Sequence, residues 1–247
     1  MIMAITSLYY VHRKHGDFVM AKLYIASMII IVAALHVNCT GNTPEQESDL
    51  YAYWKFDELT QNNELTPDTS GNDRHGSIHG QQLAEGIIGN AIKFEGLDQI
   101  VETGDIGLSA PATVAFWFKT DDLIHDRRLF SQLEGAESQA GALRLDGVQM
   151  EVWDGTEWQV LIDHQMKIKE WMHVAVVFEP DGKTHGYLNG DCQHLVQCGF
   201  DFNGVKAAIG AKFLNETGNT YTGCMDDFRI YSRALSVDEI KSLYSER

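Results

Sequence analysis

From Tyr51 onward the chain is written in short apolar or alternating runs, each ended by a cluster of turn residues, and no helical period is sustained before Ser236. Runs of that length cover one face of a strand and are too short for a packed helix, so the pattern predicts sheets. Candidate strands lie near Tyr51–Asp57, Ala91–Phe94, Thr113–Lys119, Leu129–Leu133, Ala142–Leu145, Val148–Trp153, Trp158–Ile162, Met172–Phe178, Thr184–Leu188, Ala207–Ile209 and Met225–Tyr231. Many short strands with regular turn signals predict a sandwich. Asn189-Gly190 and Asp154-Gly155 supply the positive φ angles of tight hairpins, and four prolines in the chain leave few sheet interruptions.

The segment from Gly223 to Tyr244 closes the domain. Asp226, Phe228 and Ile230 alternate onto one strand face, which sets a carboxylate in line with core side chains, where it needs a partner. A short helix follows. Its start is marked by Ser236 with Glu239 three residues on, a capping box, and by Leu235 flanking Ile240, a hydrophobic staple.

Composition bounds the function. The 247 residues are 44% hydrophobic and suffice for one domain with a full core. The formal charge is −16, and residues 1–38, which carry Arg13, Lys14, Lys22 and Asp17, contribute +2 of it, leaving −18 for the remainder. Such acidity argues against nucleic acid and anionic membrane surfaces as partners. It is compatible both with simple solubility and with cation binding.

Lys22 leads a thirteen-residue apolar run, Leu23 to Leu35, shorter than a membrane span and suited to a secretory signal. Residues 1–19 lack this pattern and read as an extension, with Met20 an alternative start. A signal over residues 20–38 would leave Cys39 at the head of a polar tether, residues 39–49, before the sandwich at 50–247. A cysteine so placed resembles that of a bacterial lipoprotein, which implies lipidation at Cys39; simple secretion is the alternative. In an exported, oxidising setting Cys192 and Cys198 are candidates for a small disulfide loop, the alternative being free thiols packed as small hydrophobes. With no Cys-x-x-Cys pair, the common zinc and redox readings fall away.

Several motifs arrive in a fixed order. Trp54-Lys55-Phe56-Asp57-Glu58, Asp68-Thr69-Ser70-Gly71-Asn72, Gly89-Asn90-Ala91-Ile92-Lys93-Phe94, Ala115-Phe116-Trp117, Trp171-Met172-His173-Val174-Ala175 and Tyr187-Leu188-Asn189-Gly190 precede Met225-Asp226-Asp227 and its helix. Together they resemble the laminin-G-like branch of the concanavalin-A-like lectin/glucanase superfamily over Tyr51 to Tyr244. The resemblance implies an all-β, two-sheet antiparallel jelly-roll sandwich with a short C-terminal helix. It does not hand over a function, because such sandwiches serve as lectins, adhesion modules and accessory domains of glycosidases.

The loop Asp68–Asp73 carries Asp68, Ser70, Asn72 and Asp73 around Gly71. Taken alone it reads first as a self-capped turn, with part of a hard-cation site as the alternative. The resemblance implies the second, a structural Ca2+ held by Asp68, Asn72 and Asp226, with Asp57 and Asp227 assisting. His75 and His79 show no third ligand to make a metal site. Paired catalytic carboxylates are absent; Glu151-Val152-Trp153-Asp154 offers one fitting position, so no enzyme is expected.

Trp153 and Trp158 flank the Asp154-Gly155 turn. With Val148, Met150 and Val152 facing inward, Glu151 and Trp153 take the other face, and the two tryptophans suit either a sugar-stacking platform or packing between sheets. Trp54, Trp117 and Trp171 read as packing. The expected protein is an exported carbohydrate-binding module, at the cell surface or in the periplasm if lipid-anchored, with an adhesion or scaffold module binding protein as the alternative.

Overall fold

Residues 49–60, 62–96, 99–133, 140–212 and 219–246 are described by the computed structural model. Among them the regular elements are, in chain order, β1 (Leu50–Trp54), β2 (Leu65–Thr66), β3 (Gly76–Ile78), β4 (Gln82–Glu85), β5 (Asn90–Glu95), β6 (Val101–Asp105), β7 (Ala112–Thr120), β8 (Arg127–Gln132), β9 (Leu143–Asp146), β10 (Gln149–Trp153), β11 (Trp158–Ile162), β12 (Met172–Phe178), β13 (Lys183–Leu188), β14 (Asp191–Gln197), β15 (Lys206–Ile209), β16 (Thr222–Tyr231) and α1 (Val237–Ser245). They form two antiparallel sheets. The first runs β14-β13-β12-β7-β16-β5-β4, with β1 also paired to β16; the second runs β11-β10-β9-β8-β15-β6-β3-β2. This is the expected two-sheet sandwich. Cys39 and the signal and tether segments, apart from Asp49, lie outside the described residues.

The sheets meet through alternating inward residues. Val114, Phe116 and Phe118 of β7 and Met225, Phe228 and Ile230 of β16 face Leu143, Leu145, Met150 and Val152 across the gap. Phe116 stacks on Phe228 at 4.8 Å, and Phe130 of the second sheet meets Phe228 at 5.6 Å. Truncating any of these rings to alanine would cost about 3–5 kcal/mol.

β16 departs from strict alternation. Asp226 pairs with Trp117 while Arg229 pairs with Ala115, so β16 holds one residue more than β7 across this interval. Asp227 absorbs it at φ +48°. This bulge reverses the face of everything before it. Met225 takes the inward position that alternation from Phe228 assigns to Asp226, and Asp226 shares the outer face with Trp117. The expectation that Asp226 lines up with Phe228 and Ile230 is therefore corrected.

On that outer face α1 packs its Ile240 and Leu243 against Ala115, Ala175, Val177, Tyr187 and Tyr231. Its N-terminus forms as expected: the Ser236 hydroxyl accepts from the Glu239 amide, and Glu239 accepts from the Ser236 amide at 2.7 Å. The hairpin at Asn189-Gly190 shows φ of +52° and +83°, as its sequence requires.

The cysteine pairing is also corrected. Cys192 is exposed and Cys198 buried, both as free thiols. Cys192 lies near the start of β14 and Cys198 immediately follows it. Six residues of extended chain separate them by about 20 Å, far beyond the reach of a disulfide.

Candidate functional site

Trp153 ends β10 and Trp158 begins β11, directly opposite each other across the hairpin. The turn between them is tightened by Asp154, whose Oδ1 accepts from the amides of Thr156 at 2.7 Å and Glu157 at 2.8 Å, while Gly155 takes φ +100°. Cross-strand partners share a face, so both rings stand on the outer side of the second sheet. Their centroids are 5.3 Å apart at 53°, and both residues are half-buried. By contrast Trp54 and Trp117 are buried, and Trp171 lies half-buried with the Lys119 ammonium 4.7 Å from its ring.

Neighbouring strands extend this surface with charges. Glu151 pairs with Arg144, which in turn pairs with Arg128, a row running across β10, β9 and β8. The guanidiniums of Arg144 and Arg128 lie 4.2 and 4.7 Å from the Trp158 centroid, distances at which cations are held by an aromatic ring. Arg144 also bonds Glu151 at 2.8 and 2.7 Å and Asp126 at 3.1 Å, and Arg128 meets Asp126 at 2.9 Å. An aromatic pair beside a hydrogen-bonding charge network is chemically suited to a sugar, which offers an apolar ring face and a rim of hydroxyls. Arg144 is readable from sequence, since it alternates with the inward Leu143 and Leu145. Arg128 is not, because the β8–β9 register shifts between Arg128 and Phe130.

The five expected calcium ligands separate into two groups. Asp68 bridges to Trp54 on one edge of β1, whereas β16 pairs with the other edge, with Phe228 opposite Trp54. Two strand spacings put Asp68 about 10 Å from β16. Its oxygens are already engaged: Oδ1 accepts from the amides of Tyr53 and Ser70, Oδ2 from the Ser70 hydroxyl and the Arg74 amide, each at 2.8–2.9 Å. These bonds more than offset burial and lower its pKa. Asn72 donates to the carbonyls of Leu50 and Tyr51. The loop is thus a clamp on β1, and Asp68 and Asn72 cannot share an ion with Asp226.

Asp226 and Asp57 instead hold the turn at Gly86–Asn90. Asp226 Oδ2 accepts from the amides of Ile87 at 2.8 Å and Ile88 at 3.1 Å, and Asp57 Oδ1 accepts from the Asn90 amide at 3.0 Å. The turn fits this closely: a Cβ on Gly86 would come within 2.5 Å of Asp226 Oδ2, and one on Gly89 within 2.1 Å of Asp57 Oδ1. Among the described residues, Oδ1 of Asp226 and Oδ2 of Asp227 are buried without hydrogen-bond partners. Burial, reinforced by the nearby Asp227, pushes Asp226 up to about 7 despite the backbone amides that oppose it. Asp227 is likewise raised by burial, against the opposing Tyr53 hydroxyl and Arg229. Among the described residues no three His, Cys, Asp or Glu side chains converge as a metal cluster.

A laminin-G family model of the concanavalin A-like lectin/glucanases superfamily matches residues 95–241, more than half of the chain. The chain belongs to this family. No curated protein matches it. Among solved structures it is similar to domain 4 of a GH43 extracellular arabinanase from Geobacillus stearothermophilus, in complex with arabinotriose. The TM-score is 0.63 at 22% identity, covering 79% of this chain and 98% of that one. It is also similar to the botulinum neurotoxin type G receptor binding domain, with TM-score 0.60, 15% identity and coverage of 80% and 51%. The serotype D ligand binding domain in complex with N-acetylneuraminic acid gives 0.61, 16%, 81% and 52%. This chain spans about half the length of those toxin domains, and at such identities the likeness is one of fold.

Proposed function

We propose that the protein is a carbohydrate-binding module and that the Trp153–Trp158 hairpin is its platform. The observation that carries this is the register pairing of the two tryptophans on an outer sheet face, beside Glu151, Arg144 and Arg128. Two similar folds hold an arabinotriose and an N-acetylneuraminic acid in their structures, which supports a sugar as ligand. Binding is favoured over catalysis because Glu151 and Asp126, beside the platform, are tied to guanidiniums, and Asp154 and Glu157 of the turn accept from amide N–H groups. An acid catalyst would instead need a proton held in an apolar pocket. We also propose export, with lipidation at Cys39 or simple secretion, checked by the intact mass of the protein recovered from its native cell.

A glycan array run with calcium and again with chelator tests the platform. Trp153→Ala should weaken the bound sugar by about 0.5–1.5 kcal/mol, roughly 2- to 13-fold in Kd, while the fold stays cooperative. A blank array alongside capture of a protein partner would favour the adhesion reading. Destabilisation of ~3–5 kcal/mol by Trp153→Ala would make that ring part of the core.

A structural Ca2+ is part of the same proposal, with a smaller donor set than the family resemblance implies. The orphaned oxygens of Asp226 and Asp227 fit a hard cation, with Asp57 beside the same turn. Two or three carboxylates leave the remaining positions to backbone carbonyls and water, which calcium accepts.

A further inference from the structure

Three arginines, Arg127, Arg128 and Arg144, stand on β8 and β9, two of them against the platform ring of Trp158. Guanidiniums beside an aromatic ring would ordinarily receive the carboxylate of an acidic sugar through paired N–H donors. Here each is engaged by a carboxylate of the chain itself. Arg127 is forked onto Asp122, with Nε at 3.0 Å and Nη2 at 2.8 Å. Asp126 lies between Arg128, at 2.9 Å, and Arg144, at 3.1 Å. Glu151, itself buried, closes the other side of Arg144.

The position of Asp126 is built for this. It adopts φ +60°, a left-handed conformation uncommon outside glycine, and its amide donates to Asp146 at 3.1 Å. That geometry turns its carboxylate between two guanidiniums on adjacent strands. Three cations therefore face three carboxylates, and the molecule around them carries −16. An incoming uronate or sialate would have to displace Glu151 or Asp126 and would meet a repelling field on approach. A neutral sugar meets neither obstacle, because its hydroxyls can donate to carboxylate oxygens and accept from N–H groups without breaking a pair.

We propose that Asp126 and Glu151 are specificity-determining residues that make the platform select uncharged sugars and reject acidic ones. The proposal rests on the reading of the Trp153–Trp158 face as a sugar site. Its mechanism is exclusion: discrimination comes from leaving the wrong ligand without a free cation, as well as from contacts to the right one.

The test uses the whole protein and compares calorimetric binding of neutral oligomers of arabinan, xylan and β-glucan with binding of oligogalacturonate and sialyllactose. Wild type, Asp126→Asn, Glu151→Gln and Trp153→Ala are measured, with thermal midpoints recorded for each. Wild type should bind at least one neutral oligomer more than about tenfold tighter than either acidic one, a margin set by one unmet charge pair. Asp126→Asn and Glu151→Gln should each shift the acidic-to-neutral affinity ratio upward by about tenfold, since each takes one competing carboxylate away from the guanidiniums. Should buried Glu151→Gln fail to fold, the more exposed Asp126→Asn carries the test. Equal wild-type affinity for acidic and neutral sugars, weakened in both cases in Trp153→Ala, would overturn the selectivity and leave the platform standing. So would an unchanged ratio in Asp126→Asn. No binding of any oligomer would overturn the platform and the selectivity together.

Discussion

His173 packs against the rings of Trp117 and Tyr244, at 5.2 and 6.2 Å, and those two rings stack on each other at 5.5 Å. Its Nδ1 has no hydrogen-bond partner among the described residues. Burial, with the Arg229 charge adding to it, pushes the imidazole down to about 3. The folded pKa lies below the unfolded value of about 6.5, so between the two the unfolded chain binds more protons and stability falls as pH falls. The contribution is intact above pH 6.5. From pH 7 to pH 5 the loss should be about 2 kcal/mol. Denaturant titrations of wild type and His173→Gln at the two pH values isolate it, because the carboxylates common to both proteins cancel. The variant should lose about 2 kcal/mol less than wild type over that interval, and parallel losses would show the imidazole to be accessible to protons when folded.

At the scale of elements, β16 and α1 show what local pattern conveys. The capping box was legible because all its parties lie within four residues, and the structure adds only Arg233, which forks onto Glu239 at 2.7 and 2.9 Å. That bond, with those from Ser236, holds Glu239 down to about 2. Ser236→Ala should destabilise by about 1 kcal/mol, lowering the thermal midpoint by roughly 2–4 °C. No change in the melting curve would mean that packing of Ile240 and Leu243 fixes the helix unaided. Alternation along β16 is legible from Phe228 to Tyr231 and fails at Asp227, because a bulge is specified by the partner strand and leaves no period in its own sequence. The strands that escaped the sequence reading, β2, β3, β4, β6 and β14, are short or exposed. β14 and β4 are edges of their sheet with mostly exposed residues, so no apolar rhythm was needed to make them. The platform was legible for the opposite reason, since its two tryptophans are joined by a hairpin turn written in Asp154-Gly155.

For the molecule as a whole, motifs in sequence order convey the fold, but a site built from distant segments depends on which edge of which strand each segment takes. The Asp68 loop and the Asp226 strand both belong to the family's pattern and both contact β1 or its partner, yet β1 stands between them. This makes the ion test specific. Calcium binding only the folded state at a hundredfold excess over its Kd would add about 2.7 kcal/mol. For a domain of ~200 residues that is roughly a 5–10 °C rise in midpoint over chelated protein. Magnesium should give much less, because its tight octahedron suits a bulged strand and a turn poorly. Asp226→Asn should abolish the calcium shift, since it removes a charged donor at the buried oxygen. Asp68→Asn should lower the midpoint with and without calcium, by weakening the clamp on β1, and keep the shift between them. Thermal unfolding of the three proteins in calcium, magnesium and chelator decides it. A wild-type midpoint identical in all three would remove the ion, and a shift lost in Asp68→Asn but kept in Asp226→Asn would place it at the Asp68 loop.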